Sequence, residues 1–127
     1  HTSLKENMED SDFSYVHECY PKENKIIAAG KKAPSSESLM HYMIYREFKE
    51  INAVFHGHSE NIMKTAIKVG FPETQHEYEY GTPEFAEDTA QYIIKNSFVV
   101  LKNHGFISVG QNMNAAGDQI INLKNIK

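Results

Sequence analysis

The 127-residue sequence has a single cysteine, Cys19, so no internal disulfide framework exists and a reducing cytoplasm is the default compartment. A lone cysteine in a strand-like segment reads as a small packing residue rather than a nucleophile. No apolar run approaches the ~20 residues that a membrane-spanning helix needs, and no signal-peptide core opens the chain. The expectation is a soluble, cytoplasmic protein with no membrane partner. Positive charge is sparse and scattered, with only Lys31 and Lys32 adjacent. A net charge of −4 and a pI near 6.0 leave no basic face, which argues against a nucleic-acid partner. Internal repeats, low-complexity tracts and interdomain linkers are also missing. What is present is ordinary globular composition, 40% hydrophobic and 24% charged, which predicts one domain over residues 1–127. Both ends read as cut, because the first residue is His1 and the last helix looks unfinished, so that domain is expected to be incomplete at both ends.

Strand and helix signals alternate. Phe13 to Tyr20 alternates and is rich in aromatic and β-branched residues, so it predicts a strand. Pro21 to Asn24 is a turn and Lys25 to Ala28 a return strand, together a hairpin. Ser35 or Ser36 caps a helix to about Phe48, with Leu39 and Met43 and with Met40, Ile44 and Phe48 at i, i+4 spacing. Ala53 to His58 is a short strand, and Ser59 caps a second helix that Gly70 closes. Phe71 to Tyr80 reads as extended. Thr82, Pro83 and Glu84 start a third helix with a buried stripe of Ala86, Ala90, Ile93 and Ile94. Phe98 to Leu101 is continuously apolar and is expected at the centre of a sheet. Phe106 to Val109 follows as another strand, and a helix starts near Asn114. This order predicts an α/β protein with helices covering a sheet.

Seven histidines invite a search for a cluster. In Phe55-His56-Gly57-His58 the two histidines are two apart in a strand, so they project from the same face and can share a metal ion. Gly57 points the other way and lets another segment approach. The pair alone is a weak signal, since histidines at this spacing also occur without metal. His104 is the third candidate, exposed by the turn Asn103-His104-Gly105 at a strand end, where α/β folds place their sites. Glu37, in the first turn of its helix, has a bland reading as a helix-dipole carboxylate and a functional one as a ligand or proton carrier. Spacing does not decide between them. His41, one turn later, either orients Glu37 or only packs. His17 and His76 have no partner motif, and Tyr78 and Tyr80 line the approach to Gly81-Thr82.

Four ordered motifs resemble the class II aldolase/adducin family. They are Pro34-Ser35-Ser36-Glu37 with His41 and Tyr45; Ala53-Val54-Phe55-His56-Gly57-His58-Ser59; Tyr80-Gly81-Thr82-Pro83-Glu84; and Leu101-Lys102-Asn103-His104-Gly105-Phe106-Ile107-Ser108-Val109-Gly110. The resemblance covers nearly the whole chain. It implies a three-layer α/β/α fold with a largely antiparallel central sheet, and a homotetramer with active sites at subunit interfaces. It also implies a zinc ion, or another divalent cation such as iron, cobalt or manganese, held by His56, His58 and His104. Glu37 matches the family's catalytic glutamate, and Ser35 and Ser36, with Thr2 as a shorter match, fall where substrate is bound.

The function so implied is a metal-dependent lyase. It would cleave a ketose phosphate, such as fuculose 1-phosphate, to dihydroxyacetone phosphate and an aldehyde through a metal-stabilised enediolate. A dehydratase resembling methylthioribulose-1-phosphate dehydratase, or a pentulose-phosphate 4-epimerase, would use the same residues. A non-catalytic scaffold like the adducin head is the alternative from another class. Two departures stand out: no Gly-Asn-x-Ser phosphate loop precedes Pro34, and the family's C-terminal helix and tail are mostly missing after Asn114.

Overall fold

A computed structural model describes residues 7–79 and 81–126. Strands β1 (Tyr15–Tyr20) and β2 (Lys25–Ala29) form an antiparallel hairpin. Its turn is tight because Asn24 adopts the left-handed conformation, φ 50°, that asparagine tolerates better than most residues. Helix α1 (Ser38–Glu47), strand β3 (Ala53–Gly57), helices α2 (Glu60–Lys68) and α3 (Pro83–Ile93), strands β4 (Phe98–Leu101) and β5 (Gly105–Gly110), and helix α4 (Met113–Asn125) follow. The second sheet has the order β3-β5-β4 and is antiparallel throughout.

Strand alternation sends side chains of this sheet into two cores. Val54, Val99, Leu101, Ile107 and Val109 face α1 and α3, where they meet Leu39, Met43, Ile44, Phe85 and Ile93. The hairpin closes this side with Cys19, a buried packing residue, and Ile26. Phe98, Val100 and Phe106 face the other way, against Ala66 of α2 and Leu123 of α4. The result is helices, sheet, helices: a three-layer α/β/α arrangement.

The helix starts show why these segments are helical. Ser59, Thr82 and Asn112 each accept a backbone N–H three residues on, the standard way to satisfy an orphan donor. The first helix departs from expectation. Its N-cap is Glu37, with no side-chain cap, while Ser35 Oγ accepts from the Glu37 N–H at 3.2 Å within the preceding turn.

Two other expectations change. β4 is not central; β5 is, and β4 lies at one side of the three strands. Its outer edge is satisfied by an irregular segment: Val100 N–H donates to Pro72 O and Thr74 N–H to Val100 O, both at 2.9 Å. Helices on both faces bury all four residues of β4, which explains the unbroken apolar run. On α3 the buried stripe is Phe85, Ala86, Thr89 and Ile93, whereas Ile94 is 65% exposed and Ala90 only partly covered. Ile94 is the C-cap residue, and at about 100° per residue it lies on the far side of the helix from the arc that Phe85, Ala86, Thr89 and Ile93 bury. No helix of the described residues is long and apolar enough to cross a membrane.

Candidate metal centre

Three histidines converge where β3 ends and β5 begins. The β3–β5 ladder sets His56 opposite Ile107 and Gly57 opposite Phe106. His56 projects from the same face as Val54, towards α1 and α3, and His58 follows two residues later just past the strand. His104 arrives from the three-residue connection between β4 and β5, which its own N–H closes on Leu101 O at 2.9 Å. Asn103 holds that turn in the left-handed region, φ 55°.

The convergence is close because Gly105 has no side chain, and Gly57 leaves room for a ring on the opposite face. A Cβ on Gly105 would lie 2.3 Å from Gly57 O and 2.7 Å from the His58 ring. A Cβ on Gly57 would lie 2.6 Å from the Phe106 ring, which covers it from the opposite face. A larger residue at Gly105 would push the histidines apart, whereas one at Gly57 would displace the Phe106 ring.

The ring nitrogens are arranged as cation ligands. His56 Nε2 is 2.9 Å from His58 Nε2 and 3.2 Å from His104 Nε2. Candidate ligand atoms of all three lie within 4.8 Å of one another. Two imidazole nitrogens bound tetrahedrally to zinc stand about 3.3 Å apart, given bonds of about 2.05 Å. His56 Nδ1 lies 3.0 Å from the Phe106 carbonyl, which can only accept. The proton is therefore on Nδ1 and the Nε2 lone pair points into the cluster, the tautomer that a metal-binding histidine needs. The set can hold a divalent cation.

Electrostatics favour neutral rings. Burial pushes His56 down to about 4, with the charge of His104 adding to the effect and the Phe106 carbonyl opposing it. Burial, then the neighbouring His58, also lowers His104. Neutral imidazoles keep their lone pairs at physiological pH.

Glu37 stands beside the cluster, its Oε1 3.5 Å from His104 Nε2. It is buried, and neither of its carboxylate oxygens has a hydrogen-bond partner among the described residues. Burial pushes its carboxyl up to about 6. Burying a carboxylate that accepts no hydrogen bond from the described residues costs more than the fraction of a kcal/mol that an exposed helix-dipole contact returns.

The other candidates divide. His41 shares the α1 face of the site, and burial lowers it to about 4. Among the contacts of the described residues it makes no hydrogen bond to the Glu37 carboxylate. It borders a cavity of about 430 Å³ with Ser35, Ser38, Tyr42 and Tyr45, on the hairpin side. Ser35 and Ser36 are exposed at the start of α1. Thr2 and Tyr80 lie outside the described residues. His17 is exposed on the hairpin, edge-on to Tyr15, and His76 is exposed, with its ring beside that of Tyr78. Two contributors carry no sequence signal of their own: the main-chain carbonyl of Phe106, and Phe85, whose ring meets His104 edge-on at 5.2 Å. Only the strand register could have indicated the first. A groove of about 440 Å³ opens next to His58 and His104, bordered by Ser59, Met63, Lys64 and Asn103.

Comparison with known proteins places this geometry in context. The family described as class II aldolase and adducin N-terminal domain matches residues 2–126. An L-fuculose phosphate aldolase of Methanocaldococcus jannaschii is 32% identical over 102 residues, covering 65% of this chain and 52% of that protein. A 5-deoxy-D-ribulose 1-phosphate aldolase of Bacillus thuringiensis is 31% identical over 105 residues, covering 71% of this chain and 49% of that protein. The chain thus spans about half the length of the curated relatives it matches. A solved structure of L-fuculose 1-phosphate aldolase superposes with a TM-score of 0.66 at 23% identity, over 80% of this chain and 58% of that one. That likeness is one of fold, and it agrees with the layered α/β arrangement.

Proposed function

The chain belongs to the class II aldolase and adducin family, and on that premise we propose that it is part of a divalent-metal-dependent aldolase cleaving a ketose phosphate such as fuculose 1-phosphate. The products are dihydroxyacetone phosphate and an aldehyde. One observation carries the reading: three Nε2 atoms converge beside a buried glutamate whose carboxylate accepts no hydrogen bond from the described residues. A scaffold has no use for that cost. Relatives named as aldolases favour carbon–carbon cleavage over dehydration or epimerisation.

The roles follow from chemistry. His56, His58 and His104 hold the cation, for which we propose zinc, as imidazole donors suit it. When bound, the cation supplies positive charge where negative charge develops on the substrate as the bond breaks. Cleavage between C3 and C4 removes the C4 hydroxyl proton, and C3 must then gain one. Glu37 carries a proton in this exchange. In the metal-free chain burial holds its carboxyl near 6, and a neighbouring cation would lower it, so at neutral pH Glu37 stands ionised and ready to accept a proton. Phe85 shields His104 from water on the α3 side. Ser35 and Ser36 stand at the start of α1, whose first N–H groups no side chain caps, and they contact the substrate; Thr2 is a further substrate-binding candidate. The same proposal extends to a cytoplasmic homotetramer with its sites at subunit interfaces.

The test is metal content per chain, with and without the substitutions His56→Ala and His58→Ala, followed by a screen of ketose phosphates for release of dihydroxyacetone phosphate. Near one equivalent of divalent metal, lost in the variant, supports the centre. No metal after incubation with zinc rejects it and favours an adducin-like scaffold.

A further inference from the structure

The turn that presents His104 is gripped from outside by a segment with no regular structure. Pro72 and Thr74 pair with the outer edge of β4 as a short parallel bridge, through the two main-chain bonds to Val100. The next rung of such a ladder would take the Lys102 N–H to the main-chain carbonyl of residue 74. Here the Thr74 hydroxyl takes its place, with Oγ1 accepting from Lys102 N at 3.0 Å. A side chain replaces a carbonyl, so the backbone is free to turn away after Thr74 while β4 turns into its hairpin. Thr74 is only 2% exposed, so water offers Lys102 N–H no ready replacement. One residue further, the Asn103 amide donates to Glu77 Oε2 at 3.1 Å, tethering the left-handed residue immediately before the histidine.

We propose that Thr74 and Glu77 are positioning residues for His104. They clamp the two residues before it, fix its Nε2 against that of His56, and so set the affinity of the centre for its divalent cation. The inference rests on the reading of the three histidines as cation ligands, although the clamp itself is a property of the metal-free chain.

Two measurements on Thr74→Val, Thr74→Ser and Glu77→Ala test it. The first is amide hydrogen exchange of His104 in metal-free protein, referenced to amides of the β4–β5 ladder to remove global opening. The second is zinc affinity, by competition with a chromophoric chelator. Valine keeps the shape and removes the acceptor, so it should speed His104 exchange at least ~10-fold and weaken zinc binding ~10–100-fold, the usual span for groups that orient a ligand. Serine retains the hydroxyl and should stay near wild type in both. Glu77→Ala loses an exposed tether and should weaken zinc binding by roughly threefold. A Thr74→Val protein that melts earlier yet keeps wild-type His104 exchange and zinc affinity would reduce Thr74 to a merely structural residue and overturn the proposal. If that variant does not fold, unchanged exchange and affinity in Glu77→Ala overturn it instead. If wild-type protein binds no zinc, the metal reading fails, and the exchange comparison alone decides the clamp.

Discussion

Glu37 Oε1 lies 3.5 Å from His104 Nε2, yet the Glu37 carboxylate receives no hydrogen bond from the described protein residues. The relationship sets function against stability. A carboxyl raised from 4.5 to about 6 is costly when ionised: the penalty is absent below pH 4.5, grows as pH rises towards 6, and is complete above it. Glu37→Gln should therefore stabilise the metal-free protein at pH 7, by up to about 2 kcal/mol before solvent screening reduces it. The gain should vanish near pH 4. Turnover should fall ~10²–10⁴-fold. Urea melts at both pH values, beside a cleavage assay, check this; a variant that is less stable at pH 7 refutes it.

Acid should destabilise the metal-free chain through its histidines. His41 and His56 both fall to about 4 in the folded state, from 6.5. The unfolded chain then binds more protons between those values, so stability is lost as pH drops from 6.5 through 4. His41→Gln should flatten that loss without abolishing it. Urea midpoints at pH 7 and 4.5 decide the matter, and equal losses in variant and wild type would remove His41 from the account.

Space rather than chemistry is at stake at Gly105. Its substitution by alanine drives a methyl into Gly57 O and the His58 ring. We expect a loss of at least ~2–3 kcal/mol and of cation binding. Gly70→Ala is the control: its φ is +104°, but a Cβ there meets nothing within 4 Å. It should cost only about 1 kcal/mol and leave the centre intact.

How far the site could be read in advance follows from these same residues. His56 and His58 were legible because a strand has period two, and His104 because a glycine turn follows an apolar strand. Glu37 was ambiguous, because its meaning lies in burial and in missing partners, neither of which spacing encodes. The position of β4 was misread because four buried residues look alike at the centre of a sheet and at a side covered by Pro72–Thr74. That cover has no strand pattern and pairs through two main-chain bonds and one side chain, so nothing local announced it. Along α3 the period was right, but the buried arc is turned towards Phe85 and Thr89 and away from Ala90 and Ile94, and which arc meets the core depends on tertiary contacts.

The end of α3 offers a direct check. Ile93 is 5% exposed and packs against the core of α1 and the sheet, whereas Ile94 is 65% exposed. Ile93→Ala should cost ~2–4 kcal/mol and Ile94→Ala no more than ~0.5. Thermal melts of the two variants separate these outcomes, and similar costs would place the helix boundary elsewhere.

The contact between His56 and the Phe106 carbonyl joins residues fifty positions apart in the chain. Those two elements must already be zipped in register before the ring is held as a ligand, and a slip of one residue would turn it to the opposite face. An unfolded chain therefore offers at most scattered, fluctuating imidazoles. If the three histidines hold a cation as proposed, its concentration would bias the folding equilibrium: every tenfold excess over the dissociation constant would add about 1.4 kcal/mol to the ordered state. A protein built this way would be most vulnerable to unfolding and proteolysis when starved of its ion, and its abundance would report the supply.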